Sequence, residues 1–220
     1  MTPIFLLIII FISSCASTQT GHYTPCSQDQ QRLEARSKEL VKIVKADQDD
    51  REDFLTRTPE EIQEIVKRDV LRRKRVGEIF GEGCFSKAQD FAAAALVYQH
   101  GDVPEHFFQA FIWAKRAVEL GDYTQKRMMA LGIDRYLVNI GKKQLFGSQA
   151  KKDNLTAESC LCLEQVEESF PDHLRKMQSG KNFKEALEWI GELNTGKDCP
   201  HQLCTNELRP SPKGTVPGFW

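Results

Sequence analysis

The stretch ALVYQHGDVPEHFFQAFIWAKRAVELGD, Ala95 to Asp122, decides the fold. After Gly101, the apolar positions Phe107, Ala110, Phe111, Ala114, Ala117 and Val118 recur at three- and four-residue steps, which is the spacing of one helix face. Gly121 supplies a stop, since glycine tolerates the left-handed conformation that ends a helix. Upstream, Ala92 to Ala95 build a helix with so little side-chain bulk that a neighbour can come close. Two helices joined by a short turn at Gly101 make a hairpin.

The flanking sequence repeats this logic. Thr58-Pro59-Glu60-Glu61 is a capping box with proline at the first helical position: the threonine oxygen accepts a free backbone N–H and the glutamate reaches back. Ser86 with Gln89, and Asn182 with Glu185, have the same spacing. From Thr58 the apolar residues Ile62, Ile65, Val66, Val70, Val76 and Phe80 follow helical spacing. Almost nothing has the alternation of a strand. The expected class is all-α: antiparallel, repeat-like helix hairpins with a disulfide-bonded helical C-terminal region. Helices are expected near 28–54, 59–80, 87–100, 104–120, 123–140, 158–178 and 183–194. The tail, Arg209 to Trp220, is rich in Pro and Gly and is expected to be flexible. No alternating strand precedes Phe219-Trp220, so the end does not have the pattern of an outer-membrane barrel.

At the other end, Ile4 to Ile12 is an apolar run too short to span a bilayer, which takes roughly 20 helical residues. It has the length of a signal-peptide core, and small residues follow it. Ile12-Ser13-Ser14-Cys15 resembles the lipobox of bacterial lipoproteins, in which the peptidase cuts before the cysteine and the thiol carries a diacylglycerol. The resemblance implies a membrane anchor at Cys15. Ala16, where a retention signal would place aspartate, implies delivery to the outer membrane, facing the periplasm. Met1-Thr2-Pro3 offers no basic side chain, which leaves an ordinary secretory signal as the alternative.

The cysteine count agrees with lipidation. Seven is an odd number for an exported chain. Without Cys15 there remain Cys26, Cys84, Cys160, Cys162, Cys199 and Cys204, an even set in an oxidising compartment where thiols pair. Cys160-Leu-Cys162 with Cys199-Pro-His201-Gln-Leu-Cys204 leaves zinc open as the other use of these thiolates, although the spacing is not that of a standard finger; the expectation is disulfides, with no metal and no cofactor. The divisions that result are a signal peptide (1–14), a lipidated tether (15–27), a helical domain (28–150), a cysteine-containing helical region (151–208) and the tail (209–220).

Charged residues make up 28% of the chain but sum to a net charge of -1, so no field of one sign draws it to nucleic acid. Arg72-Arg73-Lys74-Arg75 is the one basic cluster. On a helix its members point four ways, which is a solvated face, with anionic lipid heads as the sharper alternative.

The opening stretch looks like a tetratricopeptide-related (Sel1-type) helical repeat, through Tyr98 and Gly101 before the turn and Ala110, Trp113, Lys115, Ala117 and Gly121 after it. Leu131, Gly132 and Tyr136 begin a second unit. A second resemblance, over Gln28 to Gln149, is to a bacterial family of unknown function. Its blocks appear here as Asp47-Gln48-Asp49-Asp50-Arg51, Gln99-His100, Asp134-Arg135 and Gln144-Leu145-Phe146-Gly147-Ser148-Gln149, with Phe146 and Ser148 where the family has tyrosine and threonine. That resemblance implies a shape and a set of residues, and no reaction.

Periodicity singles out the same residues. Leu33, Ser37, Leu40 and Val44 run at helical spacing into Gln48 and Arg51; Gln99 continues Ala92, Ala95 and Leu96; Asp134 sits among Leu131, Leu137 and Val138. A carboxylate on a core-facing stripe needs a partner, because unpaired burial costs several kcal/mol, and Arg51 or His100 is the expected partner. Gln48, Arg51, Gln99, His100, Asp134, Arg135, Gln144 and Gln149 are therefore expected to converge on one polar cluster under a Gly141–Gln149 lid. The cluster could fix helix register, bind a peptide or cell-wall fragment, or catalyse with His100 as base, Asp134 as its orienter and Arg135 or Arg51 as anion holder. No nucleophile is identified. The functional expectation is a cell-envelope binding or interaction module with a protein or peptide partner; the alternative is an envelope hydrolase built on the cluster.

Overall fold

The computed structural model describes residues 25–53, 56–152 and 160–220. The signal peptide, Cys15 and most of the tether lie outside the described residues. Among the described residues seven α-helices and one two-stranded sheet follow in order: α1 (Gln30–Asp49), α2 (Pro59–Gly81), α3 (Ala88–Tyr98), α4 (Pro104–Glu119), α5 (Lys126–Asn139), β1 (Ala150–Lys152), β2 (Leu161–Leu163), α6 (Asp172–Ser179) and α7 (Phe183–Leu193). The chain is mostly helical, and the sheet corrects the all-α expectation.

The caps explain the boundaries. At α2, Thr58 accepts from the Glu61 N–H and Glu61 accepts from the Thr58 N–H, the box expected from sequence. Asn182 and Glu185 do the same at α7. At α3 the acid is Asp90 rather than Gln89: one oxygen accepts the Ser86 and Lys87 N–H groups, and the other accepts the Ser37 hydroxyl of α1. A carboxylate accepts three donors there where an amide oxygen would accept fewer.

The core is the face shared by α1 to α5, with Leu40, Val76, Ile79, Ala94, Ala95, Phe111, Ala114, Ile133 and Leu137 at its centre. Close approach depends on two glycines. A Cβ on Gly132 of α5 would lie 2.8 Å from the Phe111 backbone nitrogen of α4. A Cβ on Gly101 would lie 2.3 Å from the Cβ of His106, so the α3–α4 turn closes only without one.

Three disulfides, Cys26–Cys84, Cys160–Cys199 and Cys162–Cys204, use all six cysteines expected to pair. Sulfurs bonded to each other are not zinc thiolates, which sets aside the metal alternative. Cys26 is buried and tied to the end of α2, so the fixed domain begins before the expected tether ends.

The expected helix over 158–178 is replaced by β2, an irregular stretch and the short α6; its first two residues lie outside the described ones. The sequence Leu161-Cys162-Leu163 is a two-residue alternation: Lys151 pairs with Cys162 in the antiparallel register, and Cys162 bonds to Cys204. Helix propensity at Glu164 to Glu168 yields to these constraints. Leu163, Val166, Ala186 and Ile190 form a second, small core.

The tail is docked, contrary to expectation. Val216 is buried, Phe219 packs edge-on against Phe111 and Trp220 against Phe170, while the Trp220 indole donates to the Ser211 carbonyl at 2.7 Å. Backbone bonds from Lys143 to Arg209 and from Arg209 to Gly141 zip the tail to the loop after α5. Pro and Gly shape this path without abolishing its aromatic contacts.

Replacing Gly132 with alanine is expected to lower stability by about 1–3 kcal/mol through overpacking against α4; chemical denaturation compared with wild type measures it.

Candidate functional site

Two buried carboxylates organise the expected cluster. Asp47, near the end of α1, is fully buried. Arg51 lies 3.2 Å from its Oδ1 and donates to its backbone carbonyl at 2.8 Å. Gln48 donates to Oδ2 at 2.7 Å. The His100 Nδ1 is 3.2 Å from the same carboxylate, and its Nε2 is 3.2 Å from the Gln99 side-chain amide. Both ring nitrogens of His100 are therefore within hydrogen-bond reach of a protein group, Asp47 on one side and Gln99 on the other.

Arg51 extends the network to Asp69 of α2 at 2.9 Å, and Arg72 reaches the other Asp69 oxygen at 2.8 Å. Arg72 and Arg68 both pair with Asp50. Arg73 donates to the His100 carbonyl at 2.8 Å, and Arg75 pairs with Glu39 at 2.6 Å. The arginines of the basic run thus lead to different acceptors on neighbouring segments and are not a face left to solvent or lipid.

Asp134, on α5, is the second centre. It is fully buried. Its Oδ1 accepts the Leu145 and Phe146 N–H groups at 2.8 and 3.0 Å; its Oδ2 accepts the Ser148 N–H at 3.0 Å and the Ser148 hydroxyl at 2.8 Å. The expected partners, Arg51 and His100, are not the ones that satisfy it, and its role as orienter of His100 belongs to Asp47. Burial pushes the carboxyl up to about 6, against the pull of the donors from Phe146, Ser148 and Leu145.

Gln144 ties the loop from below. Its amide donates to the Gln149 and Glu164 carbonyls at 3.0 and 2.7 Å, and its oxygen accepts the Gln149 N–H at 2.8 Å. Arg175 of α6 donates to the Leu145 carbonyl at 2.8 Å from the other side.

The two centres join through Arg135. Its guanidinium donates to the Gln99 carbonyl at 2.6 Å and to the Gln149 side chain at 3.2 Å, 5.5 Å from the Phe107 ring centroid. Burial lowers its pKa from the usual arginine value. Gln149 continues to the Ser148 hydroxyl at 3.0 Å and so to Asp134. All eight sequence-singled residues therefore lie on one hydrogen-bonded chain, with the Gly141–Gln149 loop closing over Asp134.

The sequence reasoning missed Asp69 and Arg73, although both continue the core stripe of Ile65 and Val76 at helical steps. It quoted Asp47 within a block but did not place it in the cluster. A polar residue interrupting an apolar stripe is the same signal that identified Gln48, Arg51 and Asp134.

Chemically, the network is saturated. Both His100 nitrogens are engaged, by Asp47 and by Gln99, and the bonds described for its ring involve no hydroxyl or thiol. Space lies elsewhere: a groove of about 320 Å³ on the α1, α3 and α5 face is lined by Val41, Val44, Ala92, Ala93, Leu96 and Met128.

Comparison of the chain with family models, curated proteins and solved structures finds no match.

Asp134→Asn would place an NH₂ against donors that now meet a carboxylate oxygen, and is expected to cost about 2–3 kcal/mol of stability. The folded carboxyl near 6 lies above its ordinary 3.8, so the folded chain holds the proton more tightly than the unfolded one. This contribution to stability is complete below the ordinary value and is lost as pH rises through about 6. Going from pH 7 to 5 should therefore add about 1 kcal/mol in wild type and nothing from this position in Asp134→Asn, as read by unfolding midpoints at both pH values.

Proposed function

We propose that the chain is a lipid-anchored helical module of the bacterial cell envelope, held at the outer membrane and facing the periplasm, that binds a protein or peptide partner. The observation that carries this reading is the cysteine arithmetic. Six of the seven cysteines are consumed in three disulfides, and the seventh, Cys15, is the one that ends the lipobox-like Ile12-Ser13-Ser14-Cys15. Disulfides of this number fit an oxidising compartment. Among the described residues no helix is long and apolar enough to cross a membrane, so in this reading the lipid carries the attachment.

Binding is favoured over hydrolysis by the state of the polar network. An active base needs a free lone pair beside a nucleophile, whereas His100 spends its nitrogens on Asp47 and Gln99. The hairpin of α3 and α4, with α5 packed through Gly132, supports the repeat-like scaffold implied by the tetratricopeptide-type resemblance. The groove on α1, α3 and α5 offers that scaffold an apolar face.

Expressed in a bacterium, the wild-type chain should fractionate with the envelope and incorporate an alkyne analogue of palmitate, while Cys15→Ser should do neither. A wild-type chain that is unlabelled and soluble would overturn the anchoring.

A further inference from the structure

We propose that the cleft between α5, the Gly147–Ser148 turn and the α6–α7 corner is a subsite for the C-terminal carboxylate of a bound peptide. The proposal deepens the peptide-binding reading above and rests on it.

The cleft is lined by Arg127 and Leu131 of α5, Gly147 and Ser148 of the loop, Ser179 and Lys181 at the corner, and Trp189 of α7. Its lining has two cations and no acid. Arg127 is distinctive on this protein. Every other described arginine, from Arg32 to Arg209, has an ion pair or hydrogen bond, including the exposed Arg57, Arg68 and Arg116. Arg127 has neither among the described residues. Its guanidinium retains the planar set of donors that matches a carboxylate bidentately.

Among the described residues Lys181 makes no ion pair, although its charge helps to lower the pKa of Glu185; its ammonium lies 5.6 Å from the Trp189 ring centroid. Glu185, four residues on, is already taken by Lys176 and by the Asn182 N–H. The Ser148 hydroxyl is committed to Asp134 and to Gln149, so recognition falls to the two cations.

The lining selects the ligand group: Arg127, Lys181, Leu131 and Trp189 border one cleft, so a ligand can offer an anionic head to the two cations while its remainder lies against Leu131 and Trp189. A cationic, acid-free cleft with an apolar rim suits the terminal carboxylate of a peptide ending in an apolar residue.

The test uses the full-length chain in detergent micelles, titrated with N-acetyl-phenylalanine, N-acetyl-phenylalanine amide or inorganic phosphate while the Trp189 indole resonance is followed by NMR. Trp189→Phe identifies that resonance among those of Trp113 and Trp220. The acid is expected to give a saturable shift, with affinity at least about tenfold above the amide, or about 1.4 kcal/mol. Arg127→Gln with Lys181→Gln should abolish that preference while the chain stays folded, with the unfolding midpoint lowered by no more than the loss of the Lys181–Trp189 contact would give. Equal response to acid and amide, a response to phosphate alone, a preference that survives the double variant, or no saturable shift up to the solubility limit would each overturn the proposal. Envelope fractionation and palmitate labelling score the anchoring separately, so the subsite can fail while that reading stands. Binding of a longer peptide elsewhere, unaffected by Arg127→Gln and Lys181→Gln, would sink the subsite and leave the binding module.

Discussion

The fold depends on what is done with one buried charge. An ionised carboxylate inside protein is tolerated only when donors replace the water it has lost. Asp134 finds them in the backbone of Leu145, Phe146 and Ser148. Satisfying it therefore requires the chain after α5 to fold back over that helix. Once Gly141–Gln149 is in place, its edges become docking sites: Gln144 takes the Glu164 carbonyl, Arg175 takes that of Leu145, and Lys143 and Gly141 pair with Arg209. The C-terminal region and the tail are assembled on a loop that Asp134 holds against α5 and that Gln144 and Arg175 brace from its other sides.

This dependence also explains what was legible in sequence. Regular helices announce themselves in a few residues, so α2, α4 and α7 were readable from caps and periodicity. The cluster was readable too, because Gln48, Arg51 and Asp134 interrupt apolar stripes, and only a polar partner excuses that. Which partner could not be read. Asp134 is satisfied by backbone N–H groups, which every residue but proline carries, so no side-chain pattern points to them. The pairing of His100 with Asp47 rather than Asp134 is set by where α1 and α3 end in space. β2 and the docked tail were hidden for a related reason. Three residues of alternation are too few to stand out from a helical background, and a strand that short is held by contacts remote in sequence: β1, the Asn194 side chain, the Gln202–Cys204 segment and the Cys162–Cys204 bond.

The C-terminal region shows why the disulfides are there. Its own core is Leu163, Val166, Ala186 and Ile190 with a few partly covered neighbours, far less than an independent domain needs. Cys160–Cys199 and Cys162–Cys204 compensate by limiting the freedom of the unfolded chain. They also tie the region's stability to an oxidising environment.

The α1–α2 pairing sets two kinds of bond against each other. On one side is a row of ion pairs: Arg36 with Glu82, Arg75 with Glu39, Arg68 with Asp50, and Arg51 with Asp69. Most are partly exposed, where a pair contributes about 0.2–1 kcal/mol and less as salt rises. On the other side is Cys26–Cys84, which closes a sequence separation of 58 residues; the chain-entropy relation puts such a loop at about 4 kcal/mol. The single covalent bond is comparable to the whole row. The two differ in what they specify: the disulfide adds strength without choosing an alignment along the helices, whereas the ion pairs also fix the register. A shift of one helical step along α2 would leave Asp47, Asp50 and Asp69 facing the wrong side chains. Burial of Asp47 and Asp69 makes that error costly, so the polar network specifies one alignment of helices whose apolar contacts alone would permit several.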